Sequence, residues 1–176
     1  MNLKGIKKNT AFKYLMKLQN SSEKKLNNDK LDNIKTVGIL AEEELFRAYD
    51  FTKKLSNDLG IHETDIDVML FQKIKSEKSL DQYKFFSDKS FKMFGKIKDK
   101  DLKIFIDKKF DILVNYCSQE NVYAHIVAFQ SKSKMKAGFE NDNTSFYQFV
   151  VNIPENKINT FNEELIKYLK ILKLIV

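Results

Sequence analysis

The sequence predicts a three-layer α/β sandwich: a mostly parallel sheet of five to six strands, Rossmann-like or flavodoxin-like, preceded by a basic N-terminal helix. Three observations carry this reading. From Ile34 onward, short apolar runs alternate with stretches of helical periodicity, the pattern of β-α units around a parallel sheet. The run Phe110 to Tyr116 is apolar on both faces, as a central parallel strand must be. The length of 176 residues, 43% of them apolar, suffices for one domain with a sizeable core. The expected division is a basic helix and linker over 1–33 and a single α/β domain over 34–176.

The first helix is expected from Thr10, a fair N-cap, to Asn20. Ala11, Tyr14, Leu15 and Leu18 then share a face, with Lys13 and Lys17 turned away. A start at Leu3 would bring Lys4 and Lys7 onto that stripe, so the first nine residues read as a loosely held basic start. Residues 20–33 are polar and turn-rich, a linker. A strand over 35–41 follows, then a helix from Glu43 to Leu59, stopped by Gly60. The next strand is Ile66 to Phe71, and a short edge strand is expected near Tyr83 to Ser87. A helix over 99–108 leads into the central strand, and Ser118 is placed to cap a helix through Gln130. Strands over 135–139 and 146–153 come next, the latter ended by Pro154. In the last helix Thr160 and Glu163 form a T-x-x-E capping box, and Phe161, Leu165, Tyr168, Leu169 and Leu172 form a stripe that should pack on the sheet.

Charge is unevenly placed. The net charge is +7, and residues 1–30, with eight Lys against Glu23 and Asp29, hold +6 of it. Such a segment attracts polyanions, and Lys4, Lys7, Lys8, Lys13, Lys17, Lys24 and Lys25 are the candidate contacts for an anionic partner. Arg47 is the single Arg beside 30 Lys, a bias that also fits A+T-rich coding and argues against sequence-specific base reading. The aromatics of 83–94, interleaved with Lys84, Lys89 and Lys92, read either as core or as a stacking platform.

Several chemistries are excluded or weakened. One Cys and two His make neither a disulfide framework nor an ordinary structural zinc site. No apolar run is long enough to span a bilayer and no secretory leader is evident, so the expected location is cytoplasmic. The five glycines are never closer than 22 residues, so neither a P-loop nor a dinucleotide fingerprint exists, and no cofactor is expected. After the first strand stand Glu42, Glu43 and Glu44, which suit a helix start and repel phosphate. Asp65-Ile66-Asp67 matches D-x-D but precedes a strand, whereas ligands in open sheets gather at carboxyl ends. Four Ser-x-x-Lys matches, beginning at Ser21, Ser22, Ser131 and Ser133, are what a Lys-rich chain gives by chance. Cys117 follows the central strand and a helix start there would lower its pKa, but His125 lies two turns along that helix, too far for a local dyad.

The chain resembles a family of small bacterial proteins known as a domain of unknown function. The resemblance rests on Thr36 to Leu40, Phe94 to Lys98, Phe110 to Tyr116, Lys136 to Phe139 and Tyr168 to Leu172. It implies a shared fold and carries no assigned activity. A fainter likeness joins Phe110 to Phe139 with the N-terminal half of two-domain sugar transferases, which act between two such halves; this chain has room for one.

Two functions fit. The first is a non-enzymatic binding or adaptor protein that docks on RNA, a ribonucleoprotein or another acidic partner through its basic N-terminal segment. The alternative is a nucleotide or sugar-nucleotide site at the carboxyl ends of the strands, lined by Asn115, Tyr116, Cys117 and Ser118 with Gln72 and Glu140 as neighbours.

Overall fold

Val37–Glu42 (β1) carries five successive buried residues, so it needs cover on both faces and strands on both edges. In the computed structural model, which describes residues 3–21, 31–73, 80, 82–140 and 145–175, it has both. On one side it pairs in parallel with Ile66–Phe71 (β2), Val37 opposite Ile66. On the other it pairs in parallel with Ile112–Asn115 (β4), Val37 opposite Ile112. Lys84–Phe86 (β3) adds beyond β2, and Met135–Phe139 (β5) and Phe149–Val151 (β6) add beyond β4. The sheet is all parallel with order β3-β2-β1-β4-β5-β6. That is the doubly wound order 3-2-1-4-5-6 and not the flavodoxin order.

Helices cover both faces. Leu3–Ser21 (α1), Lys100–Asp107 (α4) and Val122–Gln130 (α5) lie with the core that contains Leu40, Met69 and Leu113. Glu43–Ala48 (α2), Phe51–Leu59 (α3) and Ile158–Ile171 (α6) lie with the core that contains Ile39, Leu70 and Val114. Neighbouring residues of each central strand thus serve opposite cores, as strand alternation requires.

Five sequence expectations are corrected. The helix expected over 43–59 is two helices: Tyr49 is extended, and the Asp50 side chain accepts the Lys53 N–H and starts α3 afresh. Gly60 does end α3, at φ 67°. Ser118 does not cap α5; its carbonyl closes a turn onto Asn121, whose side chain caps the helix by accepting the Ala124 N–H. The Thr160–Glu163 capping box does not form, because α6 begins a turn earlier, drawn by burial of Ile158 in line with Phe161, Leu165 and Leu169. Leu172 falls beyond that helix and is exposed.

The fifth correction concerns α1, which starts at Leu3 rather than Thr10. Ala11 and Leu15 are fully buried against α5, and Lys7, instead of interrupting the stripe, sends its ammonium to the Asp88 carbonyl at 2.5 Å. Most of the linker expected over 20–33 lies outside the described residues.

Candidate functional site

Two places could take a partner: the crevice where the strand order reverses, between β1 and β4, and the surface made by α1 with the segment 88–97.

The crevice is built by strand ends. β1 delivers Glu42 and then Glu43; β4 delivers Asn115, from which the chain runs through Tyr116, Cys117 and Ser118 to the start of α5. A cavity of about 200 Å³ lies here, with Glu42, Ser118 and Asn121 as polar walls and Phe71 and Tyr123 as apolar ones. Lys73 reaches in from the end of β2, Lys8 from α1, and Glu120 from the turn before α5. The polar contacts round it are long: Lys73 to Glu42 3.5 Å, Lys8 to Glu120 3.9 Å, and Asn121 Nδ2 to Glu42 3.4 Å.

Of the six predicted crevice residues, only Ser118 lines this cavity. Gln72 instead donates to Glu43 at 2.7 Å, and Arg47 donates to the same buried carboxylate at 2.5 Å. Burial alone would push the Glu43 carboxyl up, but these two donors outweigh it and hold it below its usual range. Tyr116 turns to the opposite core, where its ring packs at an angle against Phe51 and edge-on to Phe161 and its hydroxyl donates to Asn162 at 2.6 Å. Glu140 is exposed at the end of β5, two strands from β1.

Asn115 and Cys117 are buried beneath α5 in a polar chain. The Asn115 amide donates to the Tyr147 hydroxyl at 2.8 Å, and its carbonyl accepts the Cys117 N–H at 3.0 Å. Tyr147 in turn lies 3.4 Å from His125 Nδ1, and His125 Nε2 lies 3.1 Å from the Gln119 carbonyl. A carbonyl only accepts, so Nε2 carries the proton and Nδ1 is left to accept from Tyr147. His125 is thereby a neutral structural group, its pKa lowered by burial and only partly restored by the Gln119 bond. Cys117, far from being activated by a helix start, is fully enclosed, and burial raises its thiol pKa well above the usual value. The D-x-D motif also reads as structure: Asp67 pairs with Lys108 at 2.5 Å at the amino end of β2, at the opposite end of the strands from the crevice. Among the described residues no group of three His, Cys, Asp or Glu could hold a metal ion.

The second surface begins with a hairpin. Phe91 bridges Ile97, the Lys92 N–H bonds the Lys96 carbonyl, and the Gly95 N–H closes the tip onto Lys92. Gly95 sits at φ 77°, and any Cβ there would meet the Tyr14 ring at 2.8 Å, so only glycine lets α1 approach. Thr10 pins the same tip from α1, donating to the Met93 carbonyl at 2.6 Å. The result is a fixed tip that turns Phe94 outward, 69% exposed, beside Met93 at 47%. Of the other aromatics expected to form a platform, Phe86 and Phe91 are core and Tyr83 and Phe85 are half-buried.

Both elements of this surface carry exposed lysines. Lys92 and Lys96 flank the tip in the chain and are exposed. Lys13 and Lys17 are exposed too, each three residues after a tip-binding residue of α1 and so about 60° round the helix. None of the four has a carboxylate partner among the described residues, whereas Lys7 and Lys8 are engaged with Asp88 and Glu120. Lys24 and Lys25 lie outside the described residues, and only the backbone of Lys4 is described. Among the described residues no helix is long and apolar enough to cross a membrane.

A family model described as a family of unknown function (DUF6913) matches residues 7–172, and the chain belongs to that family. No curated protein and no solved structure matches it.

Proposed function

We propose that this member of the DUF6913 family is a non-enzymatic docking protein that grips single-stranded RNA, free or within a ribonucleoprotein, on the face formed by α1 and the 91–97 hairpin. The observation that carries the reading is Phe94, exposed on a tip anchored by Thr10 and Tyr14, with Lys92 and Lys96 exposed on the same hairpin and Lys13 and Lys17 exposed on α1. An aromatic on an anchored backbone offers an open face for a base to stack on, and lysines on the same surface attract the phosphates. Lysine gives that attraction as a point charge without the forked geometry that reads base edges, so the grip tolerates sequence.

The test is anisotropy of a labelled oligouridine at two salt concentrations. Phe94→Ala is expected to weaken binding about tenfold, from the roughly 1–3 kcal/mol of a base–aromatic stack. Lys13→Glu with Lys17→Glu is expected to flatten the salt dependence by about 1.4 in log–log slope, or roughly 0.7 for each phosphate contact. Deleting residues 1–30 is the wrong test, because it strips Ala11 and Leu15 from the core. If the wild-type protein fails to bind at low salt, or Phe94→Ala binds as well, the reading is overturned.

A further inference from the structure

We propose that the crevice between β1 and β4 is a binding site for a small zwitterion, a free α-amino acid with an apolar side chain. The lining has the chemistry of such a ligand. It offers carboxylates in Glu42 and Glu120 and ammonium groups in Lys8 and Lys73, so the fixed charges cancel and a ligand bearing one sign meets repulsion from half of them. A phosphate faces Glu42 at once, and no closely spaced glycines bring backbone N–H groups toward it. A ligand bearing both signs satisfies both pairs. Its ammonium goes to Glu42, the least exposed of these charges. Its carboxylate goes to Lys8 and Lys73 at the amino end of α5, where the helix dipole favours an anion.

Two further observations fix the class. At about 200 Å³ the cavity is smaller than the roughly 300–1,000 Å³ of sites for drug-sized ligands, which suits a ligand smaller than a nucleotide. Phe71, Val122 and Tyr123 supply an apolar wall for a side chain. The geometry agrees, because the contacts among the polar lining residues run from 3.4 to 3.9 Å, beyond the roughly 2.7–2.9 Å of a charge-assisted hydrogen bond. The structural contact beside them, Gln72 to Glu43, closes at 2.7 Å. Wide spacing leaves each ion with bonding capacity toward the cavity, the arrangement that tightens when a ligand enters.

The test uses the full chain with L-leucine, L-methionine and L-phenylalanine as probes, each compared with its N-acetyl and its carboxamide derivative. Thermal unfolding and titration calorimetry are the readouts, since a ligand that binds only the native state raises its stability. At least one free amino acid is expected to raise Tm at millimolar concentration, while both of its blocked forms do not. Glu42→Gln and Lys73→Met are each expected to weaken that binding tenfold or more, with the unliganded Tm nearly unchanged because both side chains are partly solvated. The proposal is overturned if no free amino acid shifts Tm, if the blocked forms act equally, or if Glu42→Gln binds as well as wild type. A shift produced by adenosine monophosphate alone overturns it in favour of a nucleotide. RNA binding by Phe94→Ala is read separately, so the failure of one site leaves the other standing.

Discussion

Tyr147 ties a buried polar chain together. Its hydroxyl accepts from the Asn115 amide and neighbours His125 Nδ1 of α5, all three residues being buried. Burial also pushes its own pKa far up, so it stays a donor at neutral pH. Tyr147→Phe leaves the Asn115 N–H and His125 Nδ1 facing a ring edge, and a loss of about 1–3 kcal/mol in urea unfolding is expected. The same chain makes stability depend on pH. His125 has a folded pKa below its unfolded value near 6.5, so the unfolded state takes up the proton first. Its contribution is therefore complete above about pH 6.5 and is lost as pH falls from there through the lowered folded pKa. Unfolding free energy measured between about pH 6.5 and 5 is expected to fall in the wild type and to fall less in His125→Gln. Equal slopes would show that His125 is not held neutral.

At the scale of elements, tertiary burial overrides local capping rules. The T-x-x-E pattern at Thr160 is a genuine signal of a helix start, yet α6 begins at Ile158 with no side-chain cap at Lys157. One more turn of helix places Ile158 in the core beside Phe161, and burying an Ile side chain is worth about 1.5–3 kcal/mol against about 1 for a cap. Thr160→Ala is accordingly expected to change stability by less than about 0.5 kcal/mol, while Ile158→Ala costs about 2 kcal/mol or more. The reverse ranking in urea unfolding would restore the capping box. The split of the expected 43–59 helix follows similar logic, for Asp50 is a strong N-cap placed where Phe51 must enter the core.

For the whole molecule, the question is whether α1 is an appendage or a part of the body. Its lysines give it its charge, but its place in the structure is set by Ala11, Leu15 and Tyr14, which join α5 to the 91–97 hairpin. Leu15→Ala is therefore expected to lower the stability of the entire fold by about 2–5 kcal/mol, in a single transition seen alike by circular dichroism and by fluorescence. An unchanged main transition would make α1 a separable arm. The helix also links the two proposed sites, since Lys8 lines the crevice while Thr10 fixes the tip that carries Phe94.

The sequence by itself determined the class of the fold and the position of nearly every strand. A parallel strand buried on both faces must be a continuous apolar run, and Val37 to Ala41, Val68 to Phe71 and Ile112 to Val114 are such runs. It likewise excluded phosphate loops, because glycine spacing is a local property. The tertiary structure alone decided which faces and ends those strands share. Asn115 and Tyr116 are neighbours in the chain, but the alternation of a strand sends one to His125 and Tyr147 and the other to Phe51 and Asn162. Glu42, Lys73, Lys8 and Asn121 meet round one cavity although they come from two strand ends and two helices, and the hairpin tip that carries Phe94 meets α1 across some 80 residues. Those encounters depend on strand order and helix docking, which arise from the mutual fit of buried surfaces, and no spacing along the chain encodes them.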